Sequence, residues 1–515
     1  MATPLLDDTQ LNFKRVLGLL ACYFILLCFN GYVFGASDMV EVLPYAAYLN
    51  DNSLFPSDFF IQNIVHDIPN ERFLIALLLG MSGTQVALWS GILHFLCTFF
   101  LLWALFRIGK RFIQSDELVW LAMLLCFVPF YGINLGGNEA YINMFTSSTL
   151  AKALGAWALA FFLDRNYWVS FILISLATFA QPLVGVQLFL LLSGVLVIGR
   201  SLGYTRMDWS TLIWLFLAFM LTGGLWIIFL KMNFDQGAID VALFFEIMEF
   251  RTPHHFFPNY YPLKSYALLV PLFILAVLFY RTHSWEISLF FTLAVLGLFV
   301  FTLGVLVLKW PIVLTTQWFK TTVWLKVFAF FSVLQYVENQ FSERWSLWWD
   351  KIAPVGLGLT ALICIGIMVH PVSFFKNKNY DFYFVTPSST EIDIAKQARE
   401  KTPQSALFLY PADNTSFKCY SERSAYVDYK SLLHRGNVMP VWYERIQKIY
   451  QINLATRRSG EDLMAVANAH FYQLDEVTLR SLGDGKITHL LTRKIHQLDF
   501  PVVAENKDFI IYKIR

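Results

Sequence analysis

A chain of 515 residues that is 57% hydrophobic and only 15% charged is not a soluble globular protein, which holds about 25% charged residues. Its net charge of +2, from 39 basic and 37 acidic side chains, leaves no nucleic-acid footprint, so no nucleic-acid partner is expected. The composition is that of a polytopic α-helical membrane protein whose first partner is the lipid bilayer.

A span needs about 20 mostly apolar residues. The first is expected at about 16–34, uncleaved because its apolar run is long and lacks a small-residue cleavage site. A polar stretch, 35–70, follows, and 72–81 is apolar but short, the pattern of an interfacial helix. Further spans are expected at about 86–105, 118–135 and 150–163. A short loop, 136–148, with Asn138 and Glu139, separates the last two. The uncharged run 167–198 would reach about 50 Å as one helix, too long for a single crossing. Proline disfavours helix at the residue before it, so two short spans should meet at Gln181-Pro182. Spans at about 212–230, 267–280, 287–308, 313–337 and 352–369 bring the total to about 11. With the N-terminus in the cytoplasm, Arg107, Lys110, Arg111, Arg165, Arg200 and Arg281 fall inside, and the bias places the C-terminus outside.

From Ser373 the composition turns soluble. A helix at 388–401 has a serine or threonine cap and early acids. Strands are expected at 406–410, 425–429 and 487–492, helices at 441–450 and 460–474, and a hairpin from 502–504 and 509–514. The chain thus divides into a membrane domain, 1–372, with outer loops at 35–85 and 231–262, and a small C-terminal α/β soluble domain, 373–515. Cys419 is alone in that domain, so no disulfide framework is expected there.

Both outer loops and the C-terminal domain then share one face. Asp38 and Glu41, three apart, share a helix face just after the first span, where a carboxylate suits a general base. The second loop carries Arg251-Thr-Pro-His254-His255. Paired imidazoles behind a guanidinium suit binding an anion, relaying a proton or holding a metal, which leaves a divalent ion open as cofactor. Lys152, Lys320 and Lys326 are cations in or near apolar runs, where charge is costly and marks function by default. Gln317, Lys320 and Trp324 fall on one stripe at helical spacing.

This layout resembles the GT-C class of membrane glycosyltransferases, which have many spans, an acid in the first outer loop and often a soluble C-terminal domain on the same side. Asp38, then Glu41, match that acid. More closely, the chain resembles a bacterial family of GT-C-like multispan proteins. The resemblance rests on Arg251-Thr-Pro-His-His255, on Thr149-Leu-Ala-Lys152, and on Val427-Asp428-Tyr429-Lys430 and Trp442-Tyr443-Glu444-Arg445 in the tail. Gln181-Pro182 departs from the His-Pro expected in that family. The resemblance implies transfer of a sugar from a polyprenyl-(di)phosphate donor to an acceptor on the outer face of the bacterial cytoplasmic membrane. Arg251, Lys152 and Lys320 would hold the leaving phosphate, with His254 or His255 as donor or metal ligand and Asp38 as base. The C-terminal domain would bind the acceptor or a protein partner whose identity stays open. Two other readings also stay open: a lipid or solute transporter with a discontinuous-helix site, and a non-enzymatic membrane assembly subunit.

Overall fold

The computed structural model describes residues 11–127, 135–137, 139–234, 239–369 and 389–515. Among the described residues, six helices are long and apolar enough to cross a membrane: Phe13–Asn30, Val86–Gly109, Pro182–Ser201, Trp209–Met232, Leu263–His283 and Trp285–Leu306. Ser147–Leu163 and Tyr167–Ala180 are shorter apolar helices. This is a multi-pass helical architecture suited to a lipid bilayer. The chain forms two compact units.

The first unit comprises Met1–Tyr32, Leu93–Ile228 and Thr252–Tyr380. Its helices end where side chains take over backbone donors. Asn12 accepts from the Arg15 amide at 2.9 Å to open Phe13–Asn30. Gln181 is extended (φ −151°, ψ 105°) and accepts from the Val184 amide at 3.0 Å. The apolar run therefore breaks at Gln181-Pro182, where the sequence places the break. A π-helical turn at Met220–Gly224 interrupts the Trp209–Met232 helix, and the Thr222 hydroxyl donates there to Ser175 Oγ at 2.9 Å. The expected span at 118–135 begins as the helix Asp116–Phe127, and 128–134 lie outside the described residues.

Two expectations are corrected in this unit. The span at 313–337 is not one helix: Pro311–Thr315 is followed by Gln317 in the left-handed region (φ 45°) and a 3-10 turn, Trp318–Thr321. Gln187 holds this break open, because its Nε2 donates to the carbonyls of Thr316 (2.8 Å) and Gln317 (3.2 Å). Gln317, Lys320 and Trp324 therefore share no helical stripe. The helix that starts at Thr322 then runs to Val369, 48 residues, straight through the polar stretch 338–351 expected to separate two spans. No glycine or proline lies between Thr322 and Ala353 to end it.

The second unit comprises Val33–Ile92, Phe229–Arg251 and Asp381–Arg515; the expected start of the tail, Ser373, lies outside the described residues. Its sheet has strands β1 (Leu407–Leu409), β2 (Ser424–Ala425), β3 (His489–Arg493), β4 (Val502–Glu505) and β5 (Phe509–Lys513), in the order β2-β1-β3-β5-β4. β1 runs parallel to β2 and β3; β3, β5 and β4 are antiparallel, so the expected hairpin is present. The helix Thr390–Lys401 has the expected cap, Ser389 Oγ accepting from the Ile392 amide, and acids Glu391 and Asp393 in its first turn. It packs Ile394, Ala395 and Ala398 onto Phe408, Leu491 and Ile511 of the sheet. The strand expected at 425–429 shortens to β2, because Asp428 Oδ1 accepts from the amides of Lys430 (2.7 Å) and Ser431 (3.3 Å) and turns the chain. The short helices Phe417–Ser421, Leu454–Arg458 and Glu476–Ser481 have no counterpart in the sequence reading.

The loop segments of this unit are bound into it by side chains. Asp58 Oδ2 accepts from the Ala425 amide at 2.8 Å, and Ser424 Oγ from the Ser57 amide at 3.1 Å. Phe55, Phe60 and Ile61 are buried. The Arg445 guanidinium lies 4.4 Å from the Phe59 ring centre. From the helix Val241–Arg251, Glu246 accepts from the Tyr443 hydroxyl at 2.8 Å, and Glu249 pairs with Arg458 at 2.7 Å.

Candidate functional site

In the first unit the chemistry gathers around the loop before helix Ser147–Leu163. Thr146 and Thr149 form a capping box that starts this helix, which puts Lys152 within its first two turns, 1% exposed. Its ammonium donates to the Glu139 carbonyl. The Glu139 carboxylate in turn takes the Lys326 ammonium at 3.2 Å. Lys326 is 5% exposed. Lys320, displaced onto the 3-10 turn, acts on Lys152 as a like charge.

The double histidine borders the same loop. His255 Nδ1 lies 3.0 Å from the Gly136 carbonyl, so a neutral ring donates through Nδ1 and keeps its lone pair on Nε2. Tyr261 donates its hydroxyl proton to the His254 carbonyl, and the two imidazole centres are 4.1 Å apart. Gly137 has φ +56°, and a Cβ there would come within 2.9 Å of His255 Nδ1. Glycine is what lets the loop approach the rings. The structure thus brings together Lys152, Lys320, His254 and His255 and adds Lys326 and Glu139. Lys326 pairs with the Glu139 carboxylate, and basic groups gathered at one loop suit an anion. Glu139 looks like any loop acid in sequence. Asn138 lies outside the described residues. Among the described residues no group of three His, Cys, Asp or Glu could hold a metal ion.

In the second unit Asp38 precedes the helix Met39–Asn50 and Glu41 lies in its first turn, where the helix dipole favours carboxylates. The two do not act as a pair. Asp38, 67% exposed, bonds to the Lys430 ammonium at 2.9 Å. Glu41, 16% exposed, pairs with Arg72 at 2.6 Å. Burial works against the Arg72 charge, but Glu41 and Glu71 outweigh it and raise its pKa. Arg251 ends its helix with Nη2 donating to the Lys430 carbonyl at 2.8 Å and its guanidinium 5.0 Å from the Tyr429 ring centre. Asp38 and Arg251, both singled out by sequence, thus meet through Lys430, which the sequence shows only as part of a motif. Arg251 belongs to this unit, His254 and His255 to the other.

The fold is that of a multi-pass helical membrane protein with a small sheet in its C-terminal stretch. Residues 389–449 match the family model of a domain of unknown function, DUF6798, a stretch that contains Lys418, Asp428 and Lys430. No curated protein matches the chain.

Proposed function

We propose that this protein is a GT-C-like membrane glycosyltransferase moving a sugar from a polyprenyl-(di)phosphate donor to an acceptor on the outer face of the bacterial cytoplasmic membrane. The observation that carries this reading is the basic cluster of buried Lys152 and Lys326 with half-buried Lys320, beside His254 and His255. In the transfer, the acceptor oxygen bonds to the anomeric carbon, and the carbon–oxygen bond to phosphate breaks. The electron pair leaves with the phosphate. Fixed ammonium groups in a water-poor setting offset that developing charge. The proton of the acceptor hydroxyl goes to a carboxylate base, the part the resemblance assigns to Asp38.

The second unit supports the outside placement of the C-terminal domain. A folded unit lies on one side of a bilayer, so the chain must cross an even number of times between 92 and 229. Tyr167–Ala180 and Pro182–Ser201 then count as separate crossings beside four others. Between 251 and 389 the same rule asks for an even number of crossings, whereas Thr322–Val369 is one continuous helix in place of two expected spans.

A transporter is the second reading, favoured by the helix breaks at Gln181 and Gln317. The deciding measurement is transfer of labelled sugar from a lipid-linked donor in membranes of equal protein abundance. Lys152→Gln and Asp38→Asn are each expected to slow it roughly ten- to hundredfold, the value of about 1.5–3 kcal/mol for one charge-assisted hydrogen bond. Wild-type rates in both variants would overturn the enzyme, and solute flux in proteoliposomes would replace it with the transporter.

A further inference from the structure

We propose that Arg251 and Arg457 form an oxyanion-binding site beside Tyr429 in the second unit, fitted to a phosphate-type group with two free oxygens. The site does not depend on the glycosyltransferase reading. Arg457 lies in the last turn of helix Leu454–Arg458, as Arg251 does in that of Val241–Arg251. Arg251 Nη2 donates to the Lys430 carbonyl at 2.8 Å, and Arg457 Nη2 to the Tyr429 hydroxyl at 3.4 Å. The Arg457 guanidinium lies 6.0 Å from the Phe250 ring centre, the Arg251 guanidinium 5.0 Å from that of Tyr429. Both Nε atoms are buried and lack a hydrogen-bond partner among the described residues.

Nε and Nη2 lie on one edge of a guanidinium, the fork that grips two oxygens of a carboxylate or phosphate. Each of these two forks is therefore only half used, one over the Tyr429 ring and the other at its hydroxyl. A buried N–H without a partner is costly and calls for an explanation. Nearby acids are committed elsewhere: Asp38 to Lys430, Glu246 to Tyr443 and Glu249 to Arg458. An oxyanion of phosphate type meets both forks, whether it arrives as a soluble phosphate or on a lipid headgroup.

The test uses the full-length protein in neutral detergent, titrated calorimetrically with inorganic pyrophosphate and, separately, with phosphatidylglycerol against phosphatidylcholine micelles. Saturable binding is expected with pyrophosphate alone for a soluble ligand, or with phosphatidylglycerol for a headgroup. Arg251→Gln and Arg457→Gln should each weaken it about tenfold or more. Arg457→Lys should do so as well, because an ammonium keeps the charge but offers no fork. Binding that Lys152→Gln abolishes and the arginine variants keep would place the oxyanion at the lysine cluster of the other unit and overturn the proposal. Binding that persists in all three arginine variants, or no saturable binding of either probe to the wild type, overturns the proposal.

Discussion

Lys418 is fully buried, 3.6 Å from Asp58 and 3.8 Å from Asp428, with the Phe60 ring centre at 5.0 Å. Burial alone would lower its pKa from the ordinary 10.5, but the two carboxylates outweigh it and raise it. Its contribution is therefore complete below that ordinary value and is lost only as the solution turns strongly alkaline. Removing the ammonium leaves two buried carboxylates unmatched. Lys418→Met is expected to destabilise the second unit by on the order of 3–5 kcal/mol, read as a shift in its denaturant midpoint. His489 works in the opposite pH range. Burial, then Lys513 and Arg423, lowers its pKa from 6.5 to about 4. The ring stays neutral when folded while the unfolded chain takes up a proton, so stability is full above pH 6.5, falls towards pH 4 and levels off below. His489→Gln is expected to flatten that slope in a pH series of melting curves; an unchanged slope would show that other groups cause it. Sequence made Lys152, Arg251 and the double histidine visible, since charges are rare among apolar runs and adjacent histidines are rare anywhere. Lys418, Lys430 and Glu139 look like ordinary solvated charges there, because burial and partners depend on segments far away in the chain.

Helix breaks divide in the same way. The one at Gln181 could be read locally, since proline acts on its immediate neighbour and Gln181 caps the next helix itself. Gln181→Ala is expected to cost about 1 kcal/mol, measured as a lower unfolding midpoint in mixed micelles. No change would mean that Pro182 alone maintains the break. The break at Gln317 depends on Gln187, 130 positions away, and leaves no local trace. The helix Thr322–Val369 reverses the error: charge at 338–351 looks like a loop, yet nothing in the stretch forbids helix. In the tail, hydrophobic alternation disclosed the β4–β5 hairpin, whereas the two-residue β2 is set by the Asp428 turn.

Composition separates membrane from soluble chain but does not disclose which loops fold with which tail. The second unit draws on three distant stretches, and its central ion network includes Asp58 from the first of them. A fragment of 373–515 alone is expected to lack a sharp thermal transition, because Lys418 and the apolar surface under Phe60 and Phe59 lose their partners. A cooperative transition at the temperature of the whole protein would count against this. Gln404 Nε2 donates to Ser53 Oγ at 2.8 Å, both at the surface. A short bifunctional thiol reagent should therefore join Ser53→Cys to Gln404→Cys in intact cells, and failure to crosslink would separate loop from tail.

Synthesis runs in one direction, and this sets a delay. Asp58 leaves the ribosome 367 residues ahead of Ala425, whose amide it accepts. At about 5–20 residues per second, that is a wait of roughly 20–70 seconds. Throughout it the first loop stands without the strand and lysine that complete it. A nonsense mutation near the 3′ end of the message would therefore be felt at the opposite end of the protein. Residues 33–92 should turn protease-sensitive although every one of them has been made, and a quality-control protease would recognise the truncated chain by its first loop.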